Sequence, residues 1–126
     1  MKIILLISFA GAIGTLSRYF MVKAINALQP DFAYGTLAVN VLGAFAAGFC
    51  FIWCKTRFSA FENYFPILFT GFLGAFTTFS TFALESARFI AEAQYGKFAL
   101  NIFLQNFSGI GAAIGGLYLA KILFKA

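Results

Sequence analysis

Gly71-Phe72-Leu73-Gly74-Ala75-Phe76-Thr77-Thr78-Phe79-Ser80-Thr81-Phe82 lies inside a long apolar run, yet its twelve positions carry two glycines, four hydroxyls and four phenylalanines. A helix facing only lipid needs neither the glycines nor the hydroxyls. Thr77 and Thr81 are four apart, as are Thr78 and Phe82, so in a continuous helix hydroxyls would alternate with rings around the axis. Gly71 and Gly74 ahead of a threonine pair weaken such a helix. Irregular backbone at membrane depth is tolerated only where it is buried in protein or faces a cavity. The stretch therefore predicts a helix break between Gly74 and Thr78. Carbonyls freed there need a hard cation such as sodium, or another copy's backbone, to satisfy them. The side chains supply hydroxyl donors and ring edges, and a ring edge carries positive potential. Such a surface can replace the water around a small anion. The commoner meaning of any one such residue, a core phenylalanine or a hydroxyl bonded one turn back, stands beside this reading.

Outward from this stretch, the 126-residue chain is 62% hydrophobic and 10% charged, with a mean hydropathy of +0.90. A soluble domain of this size could not hide so much apolar surface, which makes the chain an integral membrane protein. It has no histidine and only four acidic residues, Asp31, Glu62, Glu85 and Glu92. Ser/His/Asp triads, histidine acid–base catalysis and His-based metal sites are excluded by inventory. The nine basic residues are scattered singly rather than gathered in a patch, so the net charge of +5 reads as membrane-flanking charge and not as a nucleic-acid surface. No nucleotide motif is present. Cys50 and Cys54 share a helical face and read as small buried hydrophobes.

A bilayer crossing needs about 20 apolar residues, and four segments qualify: Ile3 to Leu28, Tyr34 to Cys54, Phe65 to Ala91 and Phe98 to Phe124. The connections are short, which leaves no room for a soluble domain. The chain reads as a single all-α transmembrane domain over residues 1–126. Its start resembles a secretory signal, but the apolar run continues to about Phe20, long enough to span, and is read as the first helix. An even number of spans puts both termini and the second loop on one side. That side holds Lys2, Lys55, Arg57, Lys121 and Lys125, against Lys23 and Lys97 opposite, with Arg18 and Arg88 slightly deeper. So weak a bias permits copies inserted both ways up.

Segment one carries Gly11, Gly14 and Thr15, a face on which another backbone can approach closely. Arg18 lies on that face, where a snorkelling anchor and a source of positive potential for an anion stand as equal readings. Asn40 in segment two shares a face with Gly43, Ala44 and Ala47, so it points into a helix contact. It is either interhelical glue or an NH₂ donor to an anion. Segment four carries Asn101, Gln105, Asn106 and Ser108. Asn101, Gln105 and Ser108 fall on one stripe, and Asn106 sits about 100° from Gln105. A polar face lining a pathway is preferred there over interhelical bonding. Tyr95, Phe98, Tyr118, Trp53 and Tyr64 read as interfacial belt residues.

Asn40 with Gly43 and Gly48, the run from Gly71 to Phe82, and Glu85 resemble the Fluc (CrcB) fluoride channels, as do the four-span layout, the short loops and Arg18 after a glycine-rich first helix. The resemblance covers almost the whole chain, and Thr-Thr-Phe-Ser-Thr-Phe is its specific core. It implies an antiparallel, dual-topology homodimer in a bacterial cell (inner) membrane that passively exports cytoplasmic fluoride and is not an enzyme. It further implies pore phenylalanines at Phe79 and Phe82, the Asn40 amide at the ion's path, and Ser80 and Thr81 on a polar track. Arg18 would lie near a vestibule and Glu85 near a pore end. Backbone carbonyls of Gly74 and Thr77 from both subunits would hold a structural Na⁺. The chain departs from many members in having Ala75 after Gly74, which a carbonyl site tolerates. It also has amides in segment four where some members place a tyrosine and serines, and Asn106 is assigned to the pore there. A proton-driven multidrug-type exporter would want an acidic residue in the first span, which has none. A non-transporting assembly subunit would use the amides and glycines for packing alone.

Overall fold

Lys2–Leu28 forms α1, Tyr34–Arg57 α2, Phe61–Phe65 the short α3, Gly74–Phe76 the single turn α4, Phe79–Ala91 α5 and Tyr95–Phe124 α6, with a π-helical stretch, Pro66–Leu73, between α3 and α4. The structure, a computed structural model, describes residues 1–125. The described residues contain no strand. Among the described residues, four stretches are long and apolar enough to cross a membrane: Lys2–Leu28, Tyr34–Arg57, Phe61–Ala91 and Tyr95–Phe124. The expected all-α, four-span architecture is therefore what the chain adopts.

The span ends move by a few residues. α2 runs past Cys54 to Arg57 and carries Lys55 and Arg57 in its last turn, where cations complement the helix dipole. α6 begins at Tyr95 rather than Phe98. The third span differs more. It starts at Phe61, and from Pro66 it widens into a π-helix in which the Gly74 N–H reaches the Phe69 carbonyl. The hydrophobic pattern carries no sign of this widening.

The break falls at the C-terminal edge of the expected window. Gly74 remains helical (φ −64°, ψ −33°), whereas Thr77 (φ −88°, ψ 162°) and Thr78 (φ −152°, ψ 119°) are extended. β-Branched threonine suits an extended backbone, and Thr78 restarts the helix by accepting the Thr81 N–H on its side-chain oxygen at 3.2 Å, an N-cap.

The break also changes the third span's neighbour. The π-helical stretch and α4 pack against α1, whereas α5 packs against α6. α2 lies along α6 in the most extensive contact of the fold. Their approach is backbone to backbone: a Cβ on Gly48 would collide with the Ala113 carbonyl, and one on Gly116 with the Phe45 carbonyl. Small residues at such crossings let membrane helices gain van der Waals contact that larger ones would forbid. The loop before α2 is tied down as well, with Phe32 buried and its ring stacked on Phe89 of α5 at 5.7 Å. Large apolar side chains stay more than half exposed along α1 (Leu5, Phe9, Leu16) and α6 (Phe103, Phe107, Ile110). Those faces meet lipid or another protein surface.

Candidate functional site

Breaking a helix strands backbone donors and acceptors, and in this protein two side chains from the preceding helices take them up. The Thr78 N–H donates to Asn40 Oδ1 at 2.8 Å, and Asn40 Nδ2 donates back to the Thr78 carbonyl at 3.0 Å. The Thr77 carbonyl accepts from Arg18 Nη1 at 3.0 Å. Because the Thr78 N–H turns to Asn40, the Gly74 carbonyl loses the donor a continuous helix would have given it. Gly74 is exposed.

These residues wall a groove of about 480 Å³ that is lined by Asn40, Gly43, Gly74, Thr77, Thr78, Phe79, Phe82, Gln105 and Asn106, among others. Gly43 makes room for the break, since a Cβ there would collide with Thr77 Cγ2. Phe79 and Phe82 meet edge to face, with centroids 5.5 Å apart and planes at 65°. Phe82 is 8% exposed and Phe79 78% exposed, so one ring is fixed in the bundle and the other projects from it.

From the groove a polar column climbs α2, α5 and α6. At its base Asn40 Nδ2 donates a second hydrogen to Gln105 Oε1 at 3.0 Å. One turn along, fully buried Asn101 donates to Ser86 Oγ at 3.0 Å, and Ser86 donates to the Phe82 carbonyl at 2.8 Å. Thr36, also fully buried, donates to Glu85 Oε1 at 2.6 Å. Glu85 opens in turn onto a second cavity of about 390 Å³ lined by Asn26, Asp31, Arg88, Glu92, Gln94 and Lys97 among others. Three separate hydrogen-bonded groups thus lie between the groove and the charged cavity at one end of the bundle.

Of the residues singled out from sequence, Asn40, Gly74, Thr77, Phe79, Phe82 and Asn106 are brought together around the groove, and Glu85 lines the end cavity. Ser80 and Thr81 are exposed and cluster with Thr78: the Thr78 hydroxyl lies 3.0 Å from Thr81 Oγ1 and 3.3 Å from Ser80 Oγ. Arg18 lies behind the break, against Thr77, and lines neither cavity. Asn106 turns its amide back to the Ile102 carbonyl at 2.7 Å, and the amide of α6 that reaches Asn40 is Gln105. Thr36 and Ser86 belong to the same polar interior. Their signal in the sequence is the four-residue spacing, Thr36 before Asn40 and Ser86 after Phe82.

Four apolar spans, a broken third helix, an amide-and-aromatic groove and a separate charged cavity at one end of the bundle define a multi-pass membrane protein built to handle a small polar species. Residues 5–117 match the family described as CrcB-like protein, Camphor Resistance (CrcB). The chain is 44% identical over 118 residues to the fluoride-specific ion channel FluC of Legionella pneumophila (strain Lens), covering 93% of this chain and 88% of that one. It is 36% identical over 118 residues to the protein of the same name from Desulforapulum autotrophicum, covering 93% and 94%. Against that of Hydrogenovibrio crunogenus the identity is 38% over 120 residues, covering 94% and 91%. The chain belongs to the CrcB family. The resemblance drawn from Asn40, the Gly71 to Phe82 run and Glu85 is thereby borne out.

Proposed function

We propose that the protein is a fluoride-selective channel that lets cytoplasmic fluoride leave a bacterial cell passively across the inner membrane, lowering internal fluoride and conferring resistance to it. The observation that carries this reading is the groove itself, where the edge-to-face pair Phe79 and Phe82 stands beside the Gln105 amide that Asn40 holds. Ring edges and amide hydrogens are weak, numerous electropositive contacts. Together they can replace a small anion's water without trapping it. The chemistry needs no ionisable relay or nucleotide. A negative-inside potential assists exit by about 2.3 kcal/mol per charge for each 100 mV.

In this reading Asn40, Phe79, Phe82 and Asn106 border the path, Ser80 and Thr81 present hydroxyls beside it, and Glu85 marks its end. Arg18 offsets anionic charge from behind the break. The groove is open on one side, and a second, antiparallel copy is the partner that would close it, consistent with the weak charge bias of the loops. The Gly74 and Thr77 carbonyls of both copies would hold Na⁺. Gly74 fits, because the residue is exposed and its carbonyl has lost its helical donor, and Thr77 fits through the lone pair that Arg18 leaves free. A bound Na⁺ would supply positive charge that ties the two breaks together.

The test is reconstitution of purified protein in liposomes with electrode recording of fluoride and chloride efflux. Fluoride efflux without chloride efflux is expected, and equal flux of both ions or none would refute the reading.

A further inference from the structure

We infer that Gln105 of α6 is an anion-contacting residue of the channel, its Nε2 presenting two free hydrogens to fluoride in the groove, while Asn40 has no hydrogen left to offer. The inference rests on the channel reading above and names the donor within it.

The hydrogens of the two amides can be counted. An amide nitrogen carries two. Those of Asn40 are both committed, one to the Thr78 carbonyl and one to Gln105 Oε1, each at 3.0 Å. Its oxygen is occupied by the Thr78 N–H. Asn40 therefore seats the break and is a positioning residue. Gln105 is its mirror: its oxygen accepts from Asn40, which fixes which end of the amide is nitrogen, and that nitrogen is buried without a partner. The residue is 9% exposed and borders the groove beside Thr78, Phe79 and Phe82. A buried unpaired N–H pair is unfavourable, and such groups call for a ligand. The neighbouring amide of Asn106 spends a hydrogen on its own helix.

Two substitutions and one direct measurement test this. Gln105→Glu keeps an oxygen for Asn40 but turns the donor into an acceptor of nearly the same shape, and Gln105→Met removes both functions. Fluoride efflux from liposomes is expected to fall at least tenfold in each, with unaltered size-exclusion behaviour. Flux near the wild-type value in Gln105→Glu would mean that Gln105 serves only to seat Asn40, and would overturn the inference. Independently of variant folding, the wild-type chain has three glutamines, Gln29, Gln94 and Gln105, so ¹⁵N-glutamine labelling gives three side-chain amide pairs. The Gln105 pair, identified by its loss in Gln105→Met, is expected to shift on titration with sodium fluoride and not with sodium chloride. An unmoved Gln105 signal, as for an amide paired with water or with a second copy, overturns the inference even if the variants lose flux. Absence of fluoride flux in the wild type sinks the channel reading itself, and the amide titration still decides whether Gln105 meets the anion.

Discussion

Asn40 holds Thr78 by both of its backbone groups, accepting its N–H at 2.8 Å and donating to its carbonyl at 3.0 Å, so an α2 side chain stands in for the helical partners that Thr78 has lost. Replacing Asn40 with Leu leaves that N–H and carbonyl unpaired inside the membrane. Each such loss costs about 1–3 kcal/mol. We expect Asn40→Leu to destabilise the protein by about 3 kcal/mol and to abolish flux. Denaturation in detergent followed by Trp53 fluorescence reads the first, and liposome efflux the second.

Arg18 does the same service for the Thr77 carbonyl from the opposite side, at 3.0 Å. Arg18→Met should cost about 1–3 kcal/mol by the same reasoning, while Arg18→Lys, which keeps a charged donor within reach, should cost less. If the two variants unfold at the same denaturant concentration, the bond to Thr77 is not what keeps Arg18 in the membrane.

Phe79 and Phe82 differ in burial though they share a sequence motif. Substituting Ile preserves bulk and removes the electropositive ring edge. Both variants should lose fluoride flux at least tenfold with the assembly intact. Only Phe82→Ile should also lose stability, by about 1–2 kcal/mol, because only Phe82 is packed. Flux that survives both changes would remove the rings from the conduction path.

The glycines of α2 and α6 make opposite predictions according to what faces them. Gly48→Ala drives a methyl into the Ala113 carbonyl, where backbone on both sides cannot yield. That overpacking should cost about 3 kcal/mol or prevent assembly. At Gly111 a Cβ meets nothing within 4 Å, so Gly111→Ala should be neutral or stabilise by up to about 1 kcal/mol through helix propensity. Expression level and thermal melting in detergent compare the two.

Sodium dependence tests the cation proposed at Gly74 and Thr77. A ligand that binds only the assembled state raises its stability with concentration. Melting temperature should therefore climb with sodium at constant ionic strength and should not respond to N-methylglucamine. An identical melting temperature in both salts would remove the ion from the proposal.

The four spans were legible because apolar length alone defines them, and the break was legible because Gly74 to Thr78 combines weak helix formers with groups that need partners. Its placement at Thr77 and Thr78 was not, since the glycines looked like the weaker link and in fact stay helical. The π-helical stretch left no trace in hydropathy. It is a matter of which carbonyl each N–H selects, and composition does not encode that choice. Asn106 stood out in the sequence, whereas Gln105 makes the contact to Asn40. The two lie about 100° apart on α6, and only the position of α2 decides which one turns inward. Ala93 shows the same limit on a smaller scale. It ends α5 at φ 55° with bonds from Gln94 to Phe89 and from Ala93 to Ile90, a closure in which glycine is the usual residue.

The break in the third span is a consequence of its neighbours, and its neighbours come first. Arg18 and Asn40 precede Thr77 and Thr78 in the chain, so both holders are made before the segment they hold, and Gln105 is made after it. The last wall of the groove arrives with α6. Both side chains that hold the break thus lie upstream of it in the chain, and the amide that completes the groove lies downstream.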